Sequence, residues 1–282
     1  MTFNVELSNS SYTKFGIDPA VLHDVNGLLY PYDPQWRNVG VNLSGGADSA
    51  VGTAVLCDLI MQHGNKTNIT VITNVRVWNN RPWAAPISIE VFNKIQQMFP
   101  LVNMQRVQNF IPPEIEDGSI GVIEQIGTTG DRICTRSFNE FAVHTHKLEA
   151  VYNFITNNPS DTQFTHGGKP RDRSWDTELL ENTRHCPQYQ PDNSYCGCYP
   201  WKLVTKDFVL NEYIRRDWLD LLNITRSCEG DKNVFAEFKD YTEYNHGESA
   251  LPTCQDLTDD TERGCFWCAE RAWAWEQANA TP

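Results

Sequence analysis

The chain has 282 residues, a formal net charge of −13 and 40% hydrophobic residues. That length buries a sizeable core, as one large domain or one domain with an appendage. The acidic balance argues against a broad electrostatic grip on DNA or RNA, so direct nucleic-acid binding is not expected. No apolar run is long enough to span a bilayer and no apolar signal opens the chain, so no membrane partner is expected and the cytoplasm is the expected compartment. In that compartment the nine cysteines, several clustered near the end, read as metal ligands rather than disulfides.

Residues 1–38 carry no strong pattern. Tyr30-Pro31-Tyr32-Asp33-Pro34 is an extended or turning lead-in, and Trp36 and Arg37 are expected to pack over a sheet edge. Val39, Val41 and Leu43 then alternate as a buried strand. The chain turns through Ser44-Gly45-Gly46-Ala47-Asp48-Ser49. Beyond the turn Val51, Val55 and Leu59 recur at four-residue spacing, beside Ala54 and Ile60, as one helix face that Gly64 closes. Gly45 and Gly46 can take backbone angles closed to other residues and let a ligand come close to the backbone. The turn therefore offers free N–H groups at a helix N-terminus, which suits phosphate, and Ser44 and Ser49 add hydroxyl donors. Asp48 would repel a bare phosphate; it fits if it orients the loop or approaches a metal ion.

A second strand is predicted over Ile69–Val77, a helix from the stripe Ile89, Phe92, Ile95 and Phe99, and a third strand over Met104–Val107. This alternation predicts an α/β fold with a doubly wound, mainly parallel sheet. Ligands in such sheets sit beyond the carboxyl ends of the strands, where the 44–49 loop lies. Asn74, Val75 and Arg76 reach the same end of the second strand.

Residues 111–136 are rich in Gly, Pro and Thr and read as a loop. Within it Arg132 and Arg136 either meet phosphate or are plain surface arginines. Phe138, Phe141, Thr145, Leu148, Tyr152 and Ile155 predict one long amphipathic helix. His144 and His146 cannot share its face, which removes a paired-histidine metal site, and Asn139 and Lys147 are candidate site residues. Residues 153–200 read as a loop-rich insertion. The 157–185 part, with Lys169, Arg171, Arg173 and Arg184, is a candidate substrate lid. His185, Cys186, Cys196 and Cys198 are either a second metal site or buried thiols, and Cys-x-Cys spacing favours the thiols.

Lys202–Leu210 leads into a helix through Tyr213 and Ile214 to Trp218, Leu221 and Leu222, and then come Thr225-Arg226-Ser227-Cys228. Cys265 and Cys268 sit on one turn, and Cys228 and Cys254 lie at a distance. Four thiolates complete a closed tetrahedral Zn²⁺ site. An iron–sulfur cluster and unrelated buried thiols are the alternatives.

The Ser44–Ser49 stretch matches, at every fixed position, the signature Ser-Gly-Gly-x-Asp-Ser of the PP-loop ATP pyrophosphatases, which it resembles. The tail, through Ser227-Cys228 and Cys265-Phe266-Trp267-Cys268, is similar to that of the 7-cyano-7-deazaguanine synthases within that superfamily. The synthases carry a further cysteine where this chain has Glu262, and Cys254 is its natural substitute. The resemblance covers the loop and the tail well and the middle poorly. It implies a Rossmann-like, adenine nucleotide alpha hydrolase-like domain over residues 1–200 and a helical zinc-binding region over 201–282. It implies an ATP-dependent ligase that adenylates the carboxylate of a base or similar acid, with release of pyrophosphate and attack by ammonia. Ser44, Gly45, Gly46, Ala47, Asp48, Ser49, Asn74 and Arg136 would then bind ATP and Mg²⁺, with Asp48, Ser49, Lys206 and Arg132 as the catalytic set. Cys228, Cys254, Cys265 and Cys268 would hold Zn²⁺, and a homodimer is compatible with this reading. Two other functions fit the same loop. One is a tRNA sulfurtransferase that carries sulfur on Cys134, Cys186, Cys196 or Cys198. The other is a deazaguanine-transferring module of a nucleic-acid or protein modification or defence system.

Overall fold

The computed structural model describes residues 22–25, 27–76, 84–111, 130–165, 196–202, 204–228 and 266–280. A hairpin opens this part, with β1 (Leu22–Val25) antiparallel to β2 (Leu28–Pro31). Then follow β3 (Asn38–Asn42), α1 (Ala47–Gln62), β4 (Asn68–Arg76), α2 (Ala84–Met98) and β5 (Met104–Ile111). The chain continues through α3 (Gly130–His146), β6 (Ala150–Tyr152), β7 (Cys196–Cys198), α4 (Lys206–Arg215), α5 (Leu219–Ile224) and α6 (Phe266–Ala280).

The last five strands form one sheet in the order β5-β4-β3-β6-β7, and every neighbouring pair is parallel. Val41 at its centre lies in register with Val71 of β4 and Tyr152 of β6. Strand side chains alternate between two apolar layers, as the pleat requires. Val39, Val41, Ile69 and Val71 join Val51 and Val55 of α1 and Ile87 and Val91 of α2. Ile72 and Val151 face the other way and join Ala142, Val143 and Leu148. Helices thus cover both faces, as the alternation of elements predicts. The strand order runs outward from β3 in both directions, so the topological switch point lies between β3 and β6.

The structure departs from the sequence reading at α3, β6, β7 and α2, and the helix expected through Tyr213 to Leu222 divides at Asp217, φ +56, into α4 and α5. The α3 helix begins at Gly130, inside the stretch read as a loop, and ends at His146 rather than continuing to Ile155. Lys147 takes a left-handed conformation with φ +52, and the Leu148 N–H donates to the Val143 carbonyl at 3.0 Å. That bond closes a Schellman turn, and Val143 and Leu148 pack in one cluster as such turns favour. The freed chain becomes β6, and Cys196–Cys198 adds β7 at the sheet edge. In α2 the buried stripe is Ile87, Val91 and Ile95, while Ile89 and Phe92 are half-buried. Gly64 closes α1 as predicted, at φ +89, with the Asn65 N–H bonded to the Ile60 carbonyl at 2.8 Å.

The hairpin fills the end of the core with rings. The Tyr30 hydroxyl donates to the Gly52 carbonyl at 3.0 Å, and the Tyr152 hydroxyl donates to the Pro31 carbonyl at 2.7 Å. Gly52 of α1 lies flat against the Phe154 ring, which leaves no room there for a Cβ. Among the described residues no helix is long and apolar enough to cross a membrane.

Candidate functional site

The Ser44–Ser49 loop leaves the carboxyl end of β3 at the switch point. The Leu43 N–H still bonds the Ile72 carbonyl at 2.9 Å, so the ladder runs to the edge of the loop. Gly45 then takes φ +83, and a Cβ there would lie 3.0 Å from the Ser88 nitrogen and from Ile87 Cγ2. Both its angle and its neighbours require glycine. Gly46 differs from the sequence reading, with an ordinary φ of −79. A Cβ at Gly46 would come no closer than 3.4 Å to the Ser44 hydroxyl, so the backbone itself does not demand glycine.

A chain of serine hydrogen bonds fixes the loop. The Ser49 hydroxyl donates to the Gly46 carbonyl at 3.1 Å, which leaves its oxygen to accept from Ser44 N–H at 3.3 Å. The Ser44 hydroxyl lies 3.2 Å from Ser49 Oγ and accepts the Gly46 N–H at 3.3 Å. No side-chain cap closes the start of α1. The positive end of a helix of 16 residues therefore lies at the carboxyl end of β3, a setting that attracts an anion.

The rest of the site comes from the far end of the chain. Lys206 opens α4 and is buried, with Nζ 3.0 Å from Asp48 Oδ2 and 3.6 Å from Glu270 Oε2 of α6. The Trp201 indole donates to the Asp48 carbonyl at 3.0 Å and the Tyr213 hydroxyl to the Ala47 carbonyl at 2.7 Å. Burial pushes the Tyr213 hydroxyl far above its ordinary value, which keeps it a donor. The Arg226 N–H donates to the Gly45 carbonyl at 2.9 Å, so the 225–228 segment lies along the loop. Arg271 anchors that segment through the Thr225 and Leu222 carbonyls, both at 2.9 Å. Burial draws the Arg271 guanidinium below its ordinary value, against the opposing pull of Tyr213 and Asp48. Among the described residues, Lys206 and Arg271 thus stand close to the carboxylate of Asp48, and Lys206 also to that of Glu270.

Asp48 Oδ1 and the Ser227 hydroxyl are among the buried oxygens near the loop that make no hydrogen bond among the described residues, and Glu270 Oε2 meets Lys206 as an ion pair at 3.6 Å rather than as a hydrogen bond. Ser227 Oγ is 4.0 Å from the position of a Cβ on Gly46. An ionised carboxylate only accepts, so Asp48 Oδ1 fits a cation or a ligand donor. The donor set therefore suits Mg²⁺, a hard ion that takes one or two carboxylates and keeps phosphate oxygens as its other ligands.

Sequence reasoning assigned Lys206 and Asp48 separately, and the structure joins them. It gave no role to Trp201, Tyr213, Arg226, Ser227, Glu270 or Arg271. The only local signal for these was their closeness to Lys206 and to the cysteine pairs. Asn74 and Asn139 are brought together, with Nδ2 of Asn74 3.5 Å from Oδ1 of Asn139, and Asn74 accepts from Asn109 at 3.0 Å. Lys147 closes α3 through its left-handed backbone, and its side chain is exposed. Arg132, Cys134 and Arg136 fall within α3 and Cys196 within β7, but their side chains lie outside the described residues, as does that of Arg76. Lys169, Arg171, Arg173, Arg184, His185, Cys186, Cys254 and Cys265 lie outside them entirely. Cys228 and Cys268 are buried in one core cluster. Among the described residues no group of three or more histidine, cysteine or acidic side chains is placed to hold a metal. Cys198 is fully buried.

No protein-family model matches the chain, and no curated protein matches it. Among solved structures, it is similar to the U34-tRNA thiolase NcsA from Methanococcus maripaludis with its [4Fe-4S] cluster. The match covers 94% of this chain and 86% of that chain, at 13% identity and a TM-score of 0.41.

Proposed function

We propose that the protein is an ATP-dependent ligase of the PP-loop type that activates a carboxylate as its adenylate. One observation carries the reading. A serine- and glycine-built loop sits at the switch point of a parallel sheet, with a helix N-terminus, a buried ammonium and an open carboxylate oxygen around it.

The N–H groups of residues 45–49 and the hydroxyls of Ser44 and Ser49 would hold the β- and γ-phosphates. Asp48 would hold Mg²⁺, which screens the phosphate charge when bound. Lys206 balances the charge of Asp48 before the cation arrives, and Arg132 or Arg136 would stabilise the departing pyrophosphate. The substrate carboxylate oxygen attacks the α-phosphorus, and the bond from that phosphorus to the bridging oxygen breaks. Pyrophosphate leaves and an acyl-adenylate remains. Ammonia then attacks the acyl carbon and gives up a proton, and AMP departs with the acyl oxygen bond. The product is an amide, and a second activation of its oxygen leads to a nitrile. The substrate class is a 7-deazaguanine-type acid. Cys228, Cys254, Cys265 and Cys268 would form a structural Zn²⁺ site that fixes the tail.

Phosphorus NMR of ATP turnover tests the reading. AMP and pyrophosphate are the expected direct products. ADP and orthophosphate would overturn it.

A further inference from the structure

We propose that Glu270 is a positioning residue, one that frees Asp48 to exchange Lys206 for a nucleotide-bound cation. This rests on the reading of the 44–49 loop as a site for phosphate and Mg²⁺.

Lys206 is buried, its side chain 2% exposed, so its ammonium needs a counter-charge at all times. Asp48 Oδ2 supplies one at 3.0 Å. If Asp48 were the only carboxylate, a cation that engaged it would strand a buried ammonium, a strongly unfavourable state. The loop would then be locked to Lys206. Glu270 removes that conflict. Its side chain is fully buried on α6, it belongs to no part of the loop, and its Oε2 stands 3.6 Å from the same ammonium. The ammonium lies closer to Asp48 than to Glu270, and it retains a partner whichever way Asp48 turns. The arrangement makes sense as a relay in which one carboxylate is working and the other is a fixed reserve. Asp48 Oδ1, buried and without a hydrogen-bond partner among the described residues, is the atom through which the working carboxylate meets its ligand.

Calorimetric titration of the full chain with inorganic pyrophosphate and with α,β-methylene-ATP, each with and without Mg²⁺, tests this. In the wild type Mg²⁺ is expected to tighten both. In Glu270→Gln the Mg²⁺-dependent tightening is expected to fall about tenfold while metal-free affinity stays within about threefold. Glu270→Asp keeps the charge and is expected to restore most of the tightening. On an Asp48→Asn background Glu270→Gln is expected to add nothing to the Mg²⁺ dependence, since the two act through one ammonium. Full Mg²⁺ tightening in Glu270→Gln, or an equal loss with and without Mg²⁺, would overturn the role of Glu270 and leave the loop reading intact. If the wild type binds neither probe, the loop reading falls and this role with it. If Glu270→Gln does not fold, Lys206→Met and Lys206→Met/Glu270→Gln decide: with the ammonium gone the two are expected to show the same Mg²⁺ tightening within about threefold, and a further loss in the double variant would overturn the role.

Discussion

Two adjacent glycines in the loop do different work, and substitution separates them. Gly45 has φ +83 and close neighbours on α2, so Gly45→Ala is expected to lose about 1–2 kcal/mol of stability in chemical denaturation. Gly46 has room and an ordinary angle, so Gly46→Ala is expected to stay within about 0.5 kcal/mol of the wild type. If Gly46 exists to let a phosphate reach the backbone, the same alanine weakens pyrophosphate binding while leaving the fold intact. Wild-type binding in Gly46→Ala would remove that explanation. Lys206 is a third residue with a sharp expectation. Lys206→Met leaves the buried Glu270 and the partly buried Asp48 without their shared ammonium and is expected to cost about 3–5 kcal/mol, with part of the loss recovered in Lys206→Met/Glu270→Gln.

At the scale of elements, the end of α3 shows why some of the fold is legible in the sequence and some is not. Its left-handed residue is a lysine, which pays a conformational penalty that glycine avoids. Lys147→Gly is therefore expected to raise the melting temperature by an amount equivalent to about 0.5–1 kcal/mol. A glycine at 147 would have announced the stop. With lysine there, Leu148, Tyr152 and Ile155 continue the helical spacing, and a strand of three residues leaves no pattern of its own. The same limit hides β7, since Cys196-Gly197-Cys198 lies in a stretch that reads as loop; the favoured reading of a buried thiol holds for Cys198, at a strand position. By contrast β3, α1, β4 and β5 are long enough for their periods to show, and Gly64 marks its helix end openly. The loop at residues 44–49 was legible because its chemistry is local. Glu270 was not, because its partner Lys206 lies 64 positions earlier in the chain, and only packing brings the two together.

For the molecule as a whole, the hairpin provides a handle on acid sensitivity. His23 lies 2.8 Å from the Tyr32 carbonyl, and its ring centroid is 4.8 Å from that of His63. Burial lowers the His23 value, the Tyr32 carbonyl opposes this, and His63 adds to it. Below an ordinary histidine's value the unfolded chain therefore binds more protons at this position than the folded one. Stability from this source falls as pH drops from the ordinary value towards the lowered one. His63→Gln is expected to shallow the loss in melting temperature between neutral and mildly acidic pH, and an unchanged slope would clear this pair of responsibility.

The strand order carries a further consequence, for how the molecule comes together in time. The β3, β4 and β5 strands are joined by neighbouring connections, whereas β6 must return to β3 across more than a hundred residues, as the Asn42–Asn153 side-chain bond with its separation of 111 positions records. Local units assemble ahead of distant ones. The half of the sheet that carries the loop is thus expected to form first, and the half that completes it to dock later, followed by α6. Pulse-labelled hydrogen exchange during refolding should show protection rising in β4 and β5 before β6 and α6. Until those dockings are complete, Lys206, Arg271 and Glu270 are not all in place around the loop. A chain that is only part-folded thereby holds the loop's sequence without the charges that surround it in the finished fold, and its own assembly is the last step in building the site.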